Sequence, residues 1–86
     1  MKIKDGYDVH KVAGEWIVFS LNEDVDLSKL INLNESGYIL WKKLAVGAEF
    51  NELVLTLVDE YGIDDVVAKK GVEKFVGKLK DNGFIE

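Results

Sequence analysis

Residues 27–41, LSKLINLNESGYILW, switch from the periodicity of a strand to that of a helix across one residue, Asn34. From 27 to 33, apolar Leu27, Leu30, Ile31 and Leu33 are interrupted by Ser28, Lys29 and Asn32, the pattern of a short, half-buried strand. Asn34 has the chemistry of an N-cap, because its side-chain oxygen can accept a hydrogen bond from an orphan N–H of the first helical turn. Glu35 complements the positive end of the helix dipole, and the apolar spacing that follows is helical. A strand joined to a helix with no loop must lay a sheet directly against a helical layer, and function is expected beside that junction.

Upstream, the runs Tyr7–Val12 and Glu15–Ser20 are rich in β-formers and are separated by Ala13 and Gly14, which predicts a two-residue hairpin. The run EWIVFS is apolar on both faces, so Trp16 can be either a core residue or part of a partner surface. The acidic residues 22–26 should turn the chain before the third strand. Downstream there is no proline. Gly37, Leu40, Trp41 and Leu44 make one helical stripe with Tyr38 on its flank, ending at Gly47. Phe50, Leu53, Val54, Leu57, Val58 and Tyr61 make a second, stopped by Gly62. Asp64 or Asp65 can cap a third, whose stripe is Ala68, Val72, Phe75, Val76 and Leu79 and whose end is Asn82-Gly83. Phe84 and Ile85 should fold back onto its last turn. The expected fold is a single α+β domain over residues 1–86, winged helix-turn-helix-like, with three short antiparallel strands followed by three helices.

The residues argue against catalysis. There is no cysteine, and His10 is the only histidine, alternating with Val9 and Lys11 as a surface strand residue would. Glu23, Asp24 and Asp26 lack the glycine and distal glutamate of a calcium loop and read as a solvated turn, and Asp64-Asp65 reads as a helix cap rather than a carboxylate dyad. No phosphate-cradling glycine loop is present. The chain is therefore expected to be a non-enzyme with no cofactor and no metal. No run approaches the ~20 apolar residues of a membrane span and MKIKDGYD lacks a signal-peptide core, so a cytoplasmic location with no membrane partner is expected.

Charge bears on partners. The formal charge is −5 and all eleven basic residues are lysines, whereas DNA binding needs neutralised phosphates and base reading favours the arginine fork. A nucleic-acid partner is not expected. Against that acidic background, residues 69–80 carry five lysines and one acid, Glu73. Lys70, Lys74 and Lys78 share one flank of the third helix, while Lys69 and Lys80 border the other. Such a face either is solvated or guides an acidic peptide.

The run Leu33-Asn34-Glu35-Ser36-Gly37, followed by Trp41, resembles the signature of PqqD-like proteins. The end of the chain, in which Phe75, Val76 and Leu79 precede Gly83, Phe84 and Ile85, is similar to that family's closing pattern, and Phe50-Asn51-Glu52-Leu53 and Tyr61-Gly62-Ile63 fall where its middle helix starts and stops. Gly71 departs from the pattern, standing where many members carry an acidic residue. The resemblance implies a RiPP recognition element, a peptide chaperone in natural product biosynthesis that binds the leader of a ribosomally synthesised precursor peptide and presents it to a modifying enzyme, often a radical SAM protein. In the family the leader adds to the third strand in the groove against the third helix, which implies contacts from Asp26, Leu27, Ser28, Lys29, Leu30 and Ile31 and from Lys69, Val72, Val76 and Lys80. Physically, an edge strand offers unpaired N–H and C=O groups to an extended peptide. The rival readings are a winged-helix DNA-binding protein and a structural subunit of a larger complex built on Trp16. Monomer and homodimer are both compatible with the sequence.

Overall fold

The structure, a computed structural model, describes residues 1–20 and 31–85. Its elements run β1 (Tyr7–Val12), β2 (Glu15–Ser20), β3 (Ile31–Leu33), α1 (Glu35–Val46), α2 (Phe50–Tyr61) and α3 (Asp65–Asp81). This is the expected α+β order of three antiparallel strands and three helices. Residues 22–26 and most of the strand expected over 27–33 lie outside the described residues.

The sheet has the order β1-β2-β3, with Val9 opposite Val18 and Val18 opposite Ile31. Ala13 (φ 52°) and Gly14 (φ 83°) both take positive φ, the backbone that lets a two-residue turn follow the twist of its strands. Because side chains alternate, Val9, Trp16, Val18, Ile31 and Leu33 face the helices, while Asp8, His10, Ile17, Phe19 and Asn32 face outward. His10 is exposed there, 3.5 Å from the Asp8 carboxylate and stacked on Phe19.

The junction forms as the residues dictate. Asn34 Oδ1 accepts from the Gly37 N–H at 2.8 Å and from the Ser36 hydroxyl at 3.0 Å. Asp64, rather than Asp65, caps α3 by accepting from the Val66 N–H. Between α2 and α3 Gly62 takes the left-handed conformation (φ 61°) that a side chain would resist.

Leu40, Trp41, Leu44, Leu53, Leu57, Val72, Val76 and Leu79 form the buried interior with Val18 and Leu33 of the sheet. The closing segment folds back as expected: the Phe84 N–H donates to the Leu79 carbonyl, and the Phe84 ring is fully buried. The segment also meets a partner that periodicity did not indicate. Ile3 bridges Ile85, and the Lys4 N–H donates to the Phe84 carbonyl at 2.8 Å, so the two ends of the chain zip together over the core.

Candidate functional site

β3 pairs with β2 on one side only, so among the described residues its other side is a sheet edge. At the Asn32–Leu33 end of β3 lies an open groove of about 1080 Å³. One wall is α3, presenting Gly71, Lys74, Phe75 and Lys78, a set at i, i+3, i+4 and i+7 and therefore one helical face. The opposite wall is Asn32, Leu33 and the first turn of α1, with Trp16 and Tyr38 at the hairpin end and Leu57 contributing from α2.

Two contacts hold the walls in place. Gly37 is where α1 meets α3, since a Cβ placed there would lie 3.4 Å from the Phe75 ring and 3.1 Å from Asn34 Oδ1. The glycine of the Leu-Asn-Glu-Ser-Gly run is thus required by packing as well as by the cap. On the other wall the Trp16 and Tyr38 rings stack at a centroid distance of 3.6 Å with 4° between planes, and Lys11 and Lys42 each place an ammonium over one of the two rings, at 5.5 and 5.1 Å. Trp16 is therefore a half-buried tie between β2 and α1. Trp16→Ala should lower stability by about 2 kcal/mol, the lost stacking plus the lost burial, as a shifted urea midpoint; a change under ~0.5 kcal/mol would show the stack to be incidental.

Lys74 and Lys78 line the helical wall of the groove, and Glu15 and Glu35 lie opposite together with Lys11. Glu15 accepts from the Asn32 side-chain amide at 3.3 Å. Neither Lys74 nor Lys78 has an ion-pair partner among the described residues, where Asp8 and His10 make the single such contact. Tyr61 has its phenol pushed above the ordinary value, first by desolvation and then by the Glu35 and Glu60 carboxylates. Among the described residues no group of three or more His, Cys, Asp or Glu side chains could hold a metal ion, and no helix is long and apolar enough to cross a membrane.

The model of the family described as coenzyme PQQ synthesis protein D (PqqD) matches residues 15–85. The chain belongs to the PqqD family. The match takes in β2, β3, all three helices and every residue of the groove except Lys11 and Gly14. No curated protein matches this PqqD-family chain. Two solved structures share its fold. One is TbiB1 in complex with the TbiA(beta) leader peptide, at TM-score 0.80 and 22% identity over 100% of this chain and 95% of that one. The other is a lasso peptide synthetase B1 complexed with the leader peptide, at TM-score 0.76 and 17% identity over 96% of this chain and 93% of that one.

The residues named from the sequence separate in space. Ile31 lies in β3 facing the helices and does not line the groove, which begins at Asn32. Val72 and Val76 are core residues, 0% and 5% exposed. Lys69 and Lys80 are exposed and do not line the groove, because they sit on the flank of α3 away from Gly71 and Lys74. Asp26, Leu27, Ser28, Lys29 and Leu30 lie outside the described residues. The groove instead takes up the other lysine row through Lys74 and Lys78, with Phe75 and Gly71. The usable signal was Phe75, an aromatic at the margin of the helical stripe beside that row.

Proposed function

We propose that this PqqD-family chain is a non-catalytic peptide-binding module that takes the leader of a ribosomally made precursor peptide as an added strand along β3 and presents it to a modifying enzyme, a radical SAM protein being the leading class. The observation that carries the reading is an edge of β3 left unpaired among the described residues, next to a groove whose walls are α3 on one side and Asn32, Leu33 and the start of α1 on the other. Main-chain hydrogen bonds from a sheet edge supply affinity that is indifferent to sequence, and alternate pockets supply selectivity. Family membership supports the reading, as does the bound leader peptide in both structures of like fold. The contact set we propose is the edge of β3 from Ile31 to Leu33 with Lys74 and Lys78 opposite, and the upstream residues 26–30 as a continuation of that edge. The surface placement of the single histidine accords with a binding role, and a cytoplasmic site of action is part of the same proposal.

The test is a titration of isotope-labelled protein with synthetic peptides encoded by short reading frames beside its gene. Amide shifts should fall on residues 31–33, on Trp16 and on residues 71–78. Shifts absent from both walls would overturn the reading. The paired change Lys74→Glu with Lys78→Glu should weaken an acidic leader by about tenfold or more and flatten the salt dependence of binding, while Lys69→Glu with Lys80→Glu should leave both within about twofold.

A further inference from the structure

Gly71 is unexplained by the protein's own packing. It sits inside α3 with an ordinary helical φ, and a Cβ added there would meet only Leu57 Cδ1, at 3.9 Å, an ordinary van der Waals contact. Alanine would fit and would favour the helix. Gly37 differs, because its neighbours leave no room for a Cβ. Gly77 is as unconstrained as Gly71, with nothing within 4 Å, but it does not line the groove. What distinguishes Gly71 is its place: it leaves a dent in the groove wall with Leu57 and Phe75 beside it and Lys74 and Lys78 further along the same helical face.

Resting on the peptide-binding reading above, we propose that this dent is the selectivity pocket of the groove, seating one bulky apolar side chain of the bound peptide, of leucine or aromatic size, with an acidic side chain two residues away held by Lys74 or Lys78. Along α3 the rise from Gly71 is about 4.5 Å to Lys74 and about 10 Å to Lys78, which brackets the roughly 6.7 Å between side chains two apart on the same side of a strand. The apolar residue gains contact with Leu57 and Phe75, and the acid meets ammonium groups that have no ion-pair partner among the described residues. A glycine at 71 is what keeps the first of these positions open.

The experiment is selection of a displayed library of random sixteen-residue peptides on the wild-type protein. Affinities of the enriched peptides are then measured for wild type, Gly71→Ala, Gly71→Leu and Gly77→Ala. Enriched peptides should share a leucine, phenylalanine or tryptophan with Asp or Glu two positions away. Gly71→Ala and Gly77→Ala should each raise Tm by about 4 °C, and only the change at 71 should weaken binding, by a few fold for alanine and by at least about tenfold for leucine. Replacing the peptide's apolar residue by alanine should weaken binding to wild type and cost nothing further against Gly71→Leu, a coupling that a mere loss of fold would not produce. Enriched peptides without this pair, or equal affinity for wild type and Gly71→Leu, would overturn the pocket while leaving peptide binding standing. A library from which nothing is enriched would overturn both.

Discussion

Phe84→Ala should remove about 3–5 kcal/mol of folding stability, which for a domain of this size is half or more of the total. The Phe84 ring is fully buried, edge-on to Tyr7 at a centroid distance of 4.6 Å and to Trp41 at 5.8 Å. It thereby joins the start of β1 to the centre of α1. Its backbone is also committed at both ends, the N–H to Leu79 and the carbonyl to Lys4. Those bonds keep the segment from collapsing inward to fill the space, so the cavity term adds to the lost burial. Equilibrium urea denaturation should show a much lower midpoint with the slope preserved. A loss under about 1 kcal/mol would mean that the closing segment is an ornament on a core complete without it.

The second large effect is expected at Gly37. A valine there would press its Cβ to 3.1 Å from Asn34 Oδ1, 3.4 Å from Phe75 and 3.5 Å from Leu33 Cβ. The cap oxygen must move, giving up its bond to the residue 37 N–H, and α3 must be pushed outward. Loss of the cap is worth about 1 kcal/mol and overpacking about 1–3 kcal/mol, so Gly37→Val should cost about 2–4 kcal/mol. Asn34→Ala removes the cap alone and should cost about 1 kcal/mol, so denaturation of the two variants separates the terms. If Gly37→Val were no worse than Asn34→Ala, close approach of α1 to α3 would not be what the glycine serves.

The sequence was most legible where the physics is local. The Asn34 cap, the two-residue hairpin at Ala13 and Gly14, the three helical stripes apart from Tyr61, which is exposed, and the fold-back of Phe84 each follow from residues within one or two turns of one another. They are enough for the α+β order and, with the Leu-Asn-Glu-Ser-Gly run, for the family. Which lysine row of α3 lines the groove was not legible. Both rows flank the same core stripe, and the choice is made by the meeting of Gly37 with Phe75, residues 38 positions apart. Val72 and Val76, named for the groove, lie on the stripe itself and so are spent on the core. The bridge of Ile3 to Ile85 was equally hidden, because two isolated isoleucines carry no period. Trp16, open between core and surface when read alone, is decided by a ring in another element, that of Tyr38.

The lysines of the groove wall form no ion pair that ties the molecule together: Lys74 and Lys78 touch no carboxylate among the described residues, and the core beneath them is wholly apolar. On the reading proposed above, the charge that meets a peptide is thus separate from the apolar packing of the same helix. A lineage could exchange these two side chains and follow a drifting partner without disturbing the core. The same separation makes the wall a natural starting point for retargeting by design, where the scaffold needs no compensating change.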